Sequence, residues 1–229
     1  MGQISVLQRL AILDAELSAR LYCPNEGFVR MILQLLEHSG HGLLWIPLSL
    51  AVWLTPLADF PPGVQTLFLN FFVGFIVDIA IVGAIKWMVA RPRPSYNSGM
   101  TLVVSVDKYS FPSGHASRAI LIAVLCSACG MKGVEVGPDV KSLGCAVSIR
   151  RHVAQLGIAT WHLVFVWIWA CSTAMSRVFL GRHYPVDVIV GCFVGAFEAY
   201  ILLHHLWVPD RVAEGLRIWL LTRVCGLPK

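Results

Sequence analysis

The sequence predicts an all-α integral membrane protein: a bundle of five transmembrane helices, a sixth being left open, with an N-terminal amphipathic helix in the membrane interface. Three observations carry this. The 229 residues are 57% hydrophobic and 14% charged, with a mean hydropathy of +0.70, too little polar surface to clothe a soluble globule. Five apolar segments match the roughly 20 residues that a helix needs to cross about 30 Å of hydrocarbon. Proline, glycine and polar breaks separate them.

In chain order, residues 1–41 form an N-terminal interfacial region. Leu7, Leu10, Leu17 and Leu21 share one helical stripe while Arg9, Glu16 and Arg20 lie elsewhere, the pattern of a helix lying in the membrane surface. Met1 to Arg20 lacks the basic start, unbroken apolar run and small-residue cleavage site of a secretory signal, so no removal is expected. The core, 42–208, holds spans at about 42–58, 64–90, 114–131, 156–175 and 187–208. The breaks fall at Pro61-Pro62-Gly63, at Arg91 to Phe111, in the polar stretch Lys132 to Gln155, and at Gly181 to Pro185. Residues 209–229 form a C-terminal tail. Gly191 and Gly195 make a small-x-x-x-small pattern that reads as close helix packing. Cys126, Cys129, Cys171 and Cys192 sit in apolar runs, where a thiol behaves as a small hydrophobe; Cys126-x-x-Cys129 therefore reads as packing. The net charge of +5 suits an anionic surface or substrate, but it is also ordinary for membrane-protein loops.

Alternating five spans places Lys86 to Ser113 and Arg177 to Asp187 on one membrane face. Three polar pieces meet there. Lys86 and Arg91-Pro92-Arg93-Pro94 set several cations at a helix end, which alone also fits interfacial snorkelling. Phe111-Pro112-Ser113-Gly114-His115 opens the third span: Ser113 is placed to cap a helix whose free N–H groups bind phosphate, Gly114 permits close backbone approach, and His115 can offer a proton. In Ser176 to Asp187, Pro185 suits a first helical turn, and Asp187 follows His183 by four residues. Its carboxylate can then accept from one imidazole nitrogen and leave the other free to attack. Helix-dipole and headgroup contacts account for Asp187, Arg177 and Arg182 singly. Jointly, the pieces supply cations, backbone donors, a nucleophile and an acid, which is what phosphoryl transfer requires.

Lys86-x6-Arg93-Pro94, Pro112-Ser113-Gly114-His115 and Ser176-Arg177-x5-His183-x3-Asp187 resemble the three signature motifs of the lipid phosphate phosphatase (type 2 phosphatidic acid phosphatase) superfamily, over residues 64 to 208. The stretch Ser105 to Arg118, with Ser176 to His183, more narrowly resembles the polyisoprenoid (presqualene) diphosphate phosphatase branch. The resemblance implies that Lys86, Arg93 and Arg177 clamp the phosphoryl oxygens and that Ser113 and the Gly114 amide donate to them. It implies that His183 attacks phosphorus to form a phosphohistidine, that Asp187 orients it, and that His115 protonates the leaving group. No metal or cofactor is implied. The implied partners are a membrane lipid phosphate and the bilayer, with no nucleic acid; the oligomeric state is left open. A multi-pass location in the endoplasmic reticulum, or the nuclear envelope, is implied with it. The family core commonly has six spans, and the polar insert is longer than that core needs.

Other polar residues point to structure. Asp78, two turns before Lys86, is an intramembrane acid and so a functional suspect, with a structural hydrogen bond as the alternative. His38-x-x-His41 has metal-ligand spacing but no second cluster to complete a site. Glu198 and His204-His205 lie toward the far end of the fifth span. The rival readings are a non-catalytic scaffold of the same fold, a phosphotransferase with an acceptor other than water, and a haloperoxidase; a transporter would show interrupted helices or inverted repeats. The motif-bearing face carries ten Lys and Arg against eight opposite. Setting Lys86, Arg93 and Arg177 aside, the charge balance leans toward a lumenal or external site.

Overall fold

A computed structural model describes residues 5–24, 27–55, 62–97, 105–130 and 160–223. The polar insert of Lys132 to Gln155 lies outside the described residues. Among those described there are eight α-helices: α1 Val6–Leu21, α2 Phe28–Ser39, α3 Gly42–Leu54, α4 Pro62–Val89, α5 Gly114–Gly130, α6 Thr160–Phe179, α7 Pro185–Ile201 and α8 Asp210–Arg223. A 3-10 turn covers Ser105–Lys108, and α7 runs on into a π-helical turn over Leu202–Leu206.

Each expected span has its apolar helix. α4, α6 and α7 with its extension are long and apolar enough to cross a membrane. α3 and α5 have 13 and 17 residues, about 20 and 26 Å at the helical rise. α3 stops at Leu54 because Thr55 precedes Pro56 and is held extended, with φ −65° and ψ 125°, the conformation a following proline imposes.

α5 is the central rod, packed between α6 and α7 and against α4. Phe71 and Phe75 of α4 meet Leu121, Ile122 and Leu125 of α5 and Ala199 and Leu202 at the far end of α7. In lipid such contacts hold helices by close packing rather than by exclusion of water. The tightest seam is α5 against α7. A Cβ on Gly191 would stand 2.5 Å from the Ser113 carbonyl oxygen, and one on Gly195 would run into the Ser117 carbonyl. The glycines thus let the α7 backbone lie directly on the start of α5.

α1 is inverted relative to a soluble surface helix. Asp14 and Ser18 are buried, while Val6, Leu10, Leu13 and Leu17 are exposed, as expected where lipid covers the apolar side. Its N-terminus carries a capping box of Ser5 and Gln8. The region also contains α2, which the leucine stripe did not reveal, with Phe28, Val29, Met31 and Leu35 exposed. At the other end α8 packs on α3 and α4 through Ala213, Trp53 and Leu69.

Candidate active site

The turn between α6 and α7 builds the centre of the site. Gly181 adopts φ +72°, a left-handed conformation that glycine accepts without steric cost. It ends α6 while the Arg182 and His183 amides fold back onto the Arg177 carbonyl, at 2.9 and 3.1 Å. Pro185 then starts α7. His183 is left buried between two helix ends, 1% exposed. Its Nδ1 lies 2.6 Å from the Ser110 carbonyl oxygen. A carbonyl can only accept, so Nδ1 carries the proton and Nε2 keeps its lone pair. Arg93 Nη1 stands 3.2 Å from that Nε2. Burial, reinforced by the charges of Arg93, Arg177 and Lys86, holds the His183 pKa well below the usual imidazole range. The ring is therefore neutral at neutral pH.

Asp187 is fully buried, but its Oδ2 is 3.7 Å from His183 Nδ1, beyond hydrogen-bond length. The direct bond expected from the four-residue spacing is not made, because the carboxylate turns to other donors. It accepts the Tyr184 amide at 2.9 Å, capping its own helix, and Arg91 Nη1 at 2.6 Å. Its backbone carbonyl accepts the Ser113 amide at 3.0 Å, which ties the start of α5 to the start of α7.

The expected cations gather here. Lys86, at the end of α4, pairs with Asp107 at 2.8 Å. Arg93 donates through Nε and Nη2 to the Asp107 carbonyl, at 2.9 and 2.6 Å, and through Nη1 to the Arg182 carbonyl at 2.6 Å. Burial, with the Arg177 charge, pushes the Arg93 pKa down to about 10, so it stays charged at neutral pH. Arg177 is wholly buried, with Nη1 2.6 Å from Glu37 Oε1. All three of its guanidinium nitrogens, the Ser113 hydroxyl and the His115 Nε2 are buried without a hydrogen-bond partner, Nη1 being held by its ion pair alone. Because buried polar groups are normally satisfied, these unpartnered groups are available to a bound oxyanion. Ser113 does not use its hydroxyl as a helix cap, and Gly114 is the first residue of α5.

Several residues of the site escaped the sequence reading. Arg91 bridges two carboxylates: Nη1 reaches Asp187, Nη2 reaches Asp14 of α1 at 2.7 Å, and the guanidinium lies 4.0 Å over the Tyr184 ring. Asp14 also accepts the Val186 amide at 3.0 Å, so a residue of the interfacial helix caps α7. Glu37 of α2 holds Arg177 and Arg182. The end of α2 roofs the site, with Gly40 lying against Thr173 and His115. His41 stands edge-on to His115, ring centroids 5.3 Å apart, its Nδ1 accepting the Leu43 amide. His38, in the last turn of α2, is exposed. Among the described residues no group of three or more His, Cys, Asp and Glu could hold a metal ion. Asp78 pairs with Arg118 at 2.5 Å and Glu198 accepts from Ser117 at 3.1 Å, which are bonds within the bundle.

Residues 67–211 match the family model of the PAP2 superfamily. The chain is 36% identical over 197 residues to a probable lipid phosphate phosphatase beta of Arabidopsis thaliana, covering 84% of this chain and 88% of that protein. The chain belongs to the PAP2 superfamily. It is 23% identical over 168 residues to an undecaprenyl-diphosphatase of Sulfolobus acidocaldarius, covering 72% and 65% of the two chains. The crystal structure of a transmembrane PAP2-type phosphatidylglycerolphosphate phosphatase from Bacillus subtilis superposes with a TM-score of 0.60 at 18% identity. That match covers 91% of this chain and 86% of that one. A PAP2 family member with these apolar helices is a multi-pass integral membrane protein.

Proposed function

We propose that this membrane lipid phosphatase of the PAP2 superfamily hydrolyses polyisoprenoid diphosphates, without a metal, through a phosphohistidine on His183. The observation that carries the chemistry is the His183 imidazole, protonated on Nδ1 by its bond to the Ser110 carbonyl and offering Nε2 beside Arg93. In this reading Nε2 attacks phosphorus and the bond from phosphorus to the leaving oxygen breaks, that oxygen taking the proton of His115. Water then attacks the phosphohistidine, returns a proton to His115 and releases inorganic phosphate, which restores both rings. Lys86, Arg93 and Arg177 neutralise the phosphoryl oxygens, while the Ser113 hydroxyl and Gly114 amide donate to them. Such prearranged donors act where charge develops. Asp187 acts on His183 at one remove, by fixing the ends of α5 and α7.

The diphosphate substrate rests on the motif-flanking stretches Ser105 to Arg118 and Ser176 to His183 and on the undecaprenyl-diphosphatase relative. The Arabidopsis relative's name favours a second reading, a lipid phosphate monoester such as phosphatidate. The endoplasmic reticulum is the proposed membrane. Purified protein assayed with EDTA against farnesyl, geranylgeranyl and presqualene diphosphates, phosphatidate and sphingoid-base phosphates decides between them. The diphosphates are expected to give the highest kcat/KM, and a preference for phosphatidate overturns the substrate assignment.

A further inference from the structure

We infer that Glu37, on α2 and outside the family-matched region, is a positioning residue for the phosphate clamp, fixing which edge of the Arg177 guanidinium meets the phosphoryl group. The inference rests on the proposed role of Arg177. Glu37 is 8% exposed, and its carboxylate joins two arginines from different parts of α6 and the turn after it. Oε1 lies 2.6 Å from Arg177 Nη1 and 3.1 Å from Arg182 Nε, and Oε2 accepts Arg182 Nη2 at 3.3 Å. Arg182 Nη1 donates to Asn97 Oδ1 at 3.0 Å, so Arg182 is tied down as part of the wall. Arg177 differs. Only its Nη1 is engaged, by the ion pair with Glu37, and none of its three nitrogens has a hydrogen-bond partner. A guanidinium is a planar fork of five donors that matches an oxyanion along one edge. A carboxylate held on Nη1 leaves the Nε–Nη2 edge for phosphate oxygens and stops the plane from rotating. Burial pushes the Glu37 carboxyl up, but the charges and hydrogen bonds of Arg177 and Arg182 outweigh it and hold it below its ordinary value. Glu37 therefore stays ionised throughout the neutral range.

The test compares E37A, E37Q, R177A and the double variant E37A/R177A in the full-length, detergent-purified protein. Steady-state kinetics on a lipid diphosphate, competitive inhibition by orthovanadate and thermal unfolding are read for each. E37A is expected to lower kcat/KM by about 10- to 100-fold, the range for a mis-set clamp, and to weaken vanadate inhibition in parallel. E37Q, which keeps one acceptor, should lose less. In the R177A background E37A should cost under about threefold, since residues acting through one another are not additive. A merely structural role predicts instead that the E37A loss repeats in full on R177A, and that result overturns the inference. So does wild-type kinetics and vanadate affinity in E37Q or E37A while R177A is crippled. Should E37A fail to fold, as removing one partner of a buried ion pair can cause, E37Q against R177A decides on the same criteria. R177A with wild-type kcat/KM and vanadate affinity overturns the Arg177 role itself, and the inference with it.

Discussion

Replacing Gly191 by alanine tests whether helix packing sets the catalytic geometry. The added methyl would stand 2.5 Å from the Ser113 carbonyl oxygen and 3.2 Å from the Ala116 Cβ. Ordinary contact begins near 3.4 Å, so the start of α5 must retreat from α7 by about 0.9 Å, a displacement on the scale that costs an active site about 100-fold. Both obstacles are backbone or Cβ atoms, so no side chain can swing away instead. The movement falls on Ser113 and strains its amide bond to the Asp187 carbonyl, 3.0 Å long. Overpacking of this kind costs roughly 1 to 3 kcal/mol of stability. We expect G191A to lower kcat by about 10- to 100-fold and to lower the melting midpoint in detergent. G195A, which meets Ser117 one turn deeper, should lower the midpoint with a smaller effect on kcat. G83A, with nothing within 4 Å of its new Cβ, should match wild type in both. Wild-type kcat and unchanged melting for G191A would refute the reasoning.

Removal of Asp14 breaks a cap on α7 and an ion pair with Arg91, so D14A should destabilise by about 2 kcal/mol, while D14N, which keeps the cap, should lose about half of that; thermal melts measure both. R91M, which frees Asp187, should lower kcat more than D14A does, and equal kinetics for R91M and wild type would contradict the bridge. Because burial and three cations depress the His183 pKa, the ring stays neutral as pH falls through the ordinary imidazole range. The substrate-protectable inactivation by diethyl pyrocarbonate should therefore hold its rate below pH 6.5 and decline only at lower pH, whereas a midpoint at 6.5 contradicts the burial. With no carboxylate cluster among the described residues suited to Mg²⁺, excess EDTA should leave turnover unchanged, and a loss rescued by magnesium would exclude the proposed mechanism.

The parts of this protein most legible in sequence were those written in local periodicity. Apolar runs located α3 to α7, and proline and glycine located their breaks, because lipid demands a continuous apolar helix. The three motifs stood out because they join uncommon residue types, and the fold sets Lys86, Arg93, His115 and Arg177 about His183, with Ser113 bonded to Asp187 next to it. What was not legible came from afar or from the backbone. The partner of His183 Nδ1 is the Ser110 carbonyl, and a main-chain acceptor leaves no trace in residue type. Asp14 and Glu37 drew no attention in a region read as interfacial, since nothing in a leucine stripe says that its opposite side meets buried arginines. His41 was weighed with His38 as a metal pair, whereas the chain bends between them and delivers only His41 to His115.

In the proposed mechanism His183 attacks phosphorus. Rapid acid-free quench of the purified protein turning over a ³²P-labelled lipid diphosphate, followed by peptide mapping, tests it most directly. The expected label is stable in alkali, labile in acid, carried by the peptide containing His183, and absent from H183N. H115Q should still accumulate it with an acidic aryl leaving group that needs no proton. A label on His115, an acid-stable phosphoryl group, or full turnover by H183N would contradict it.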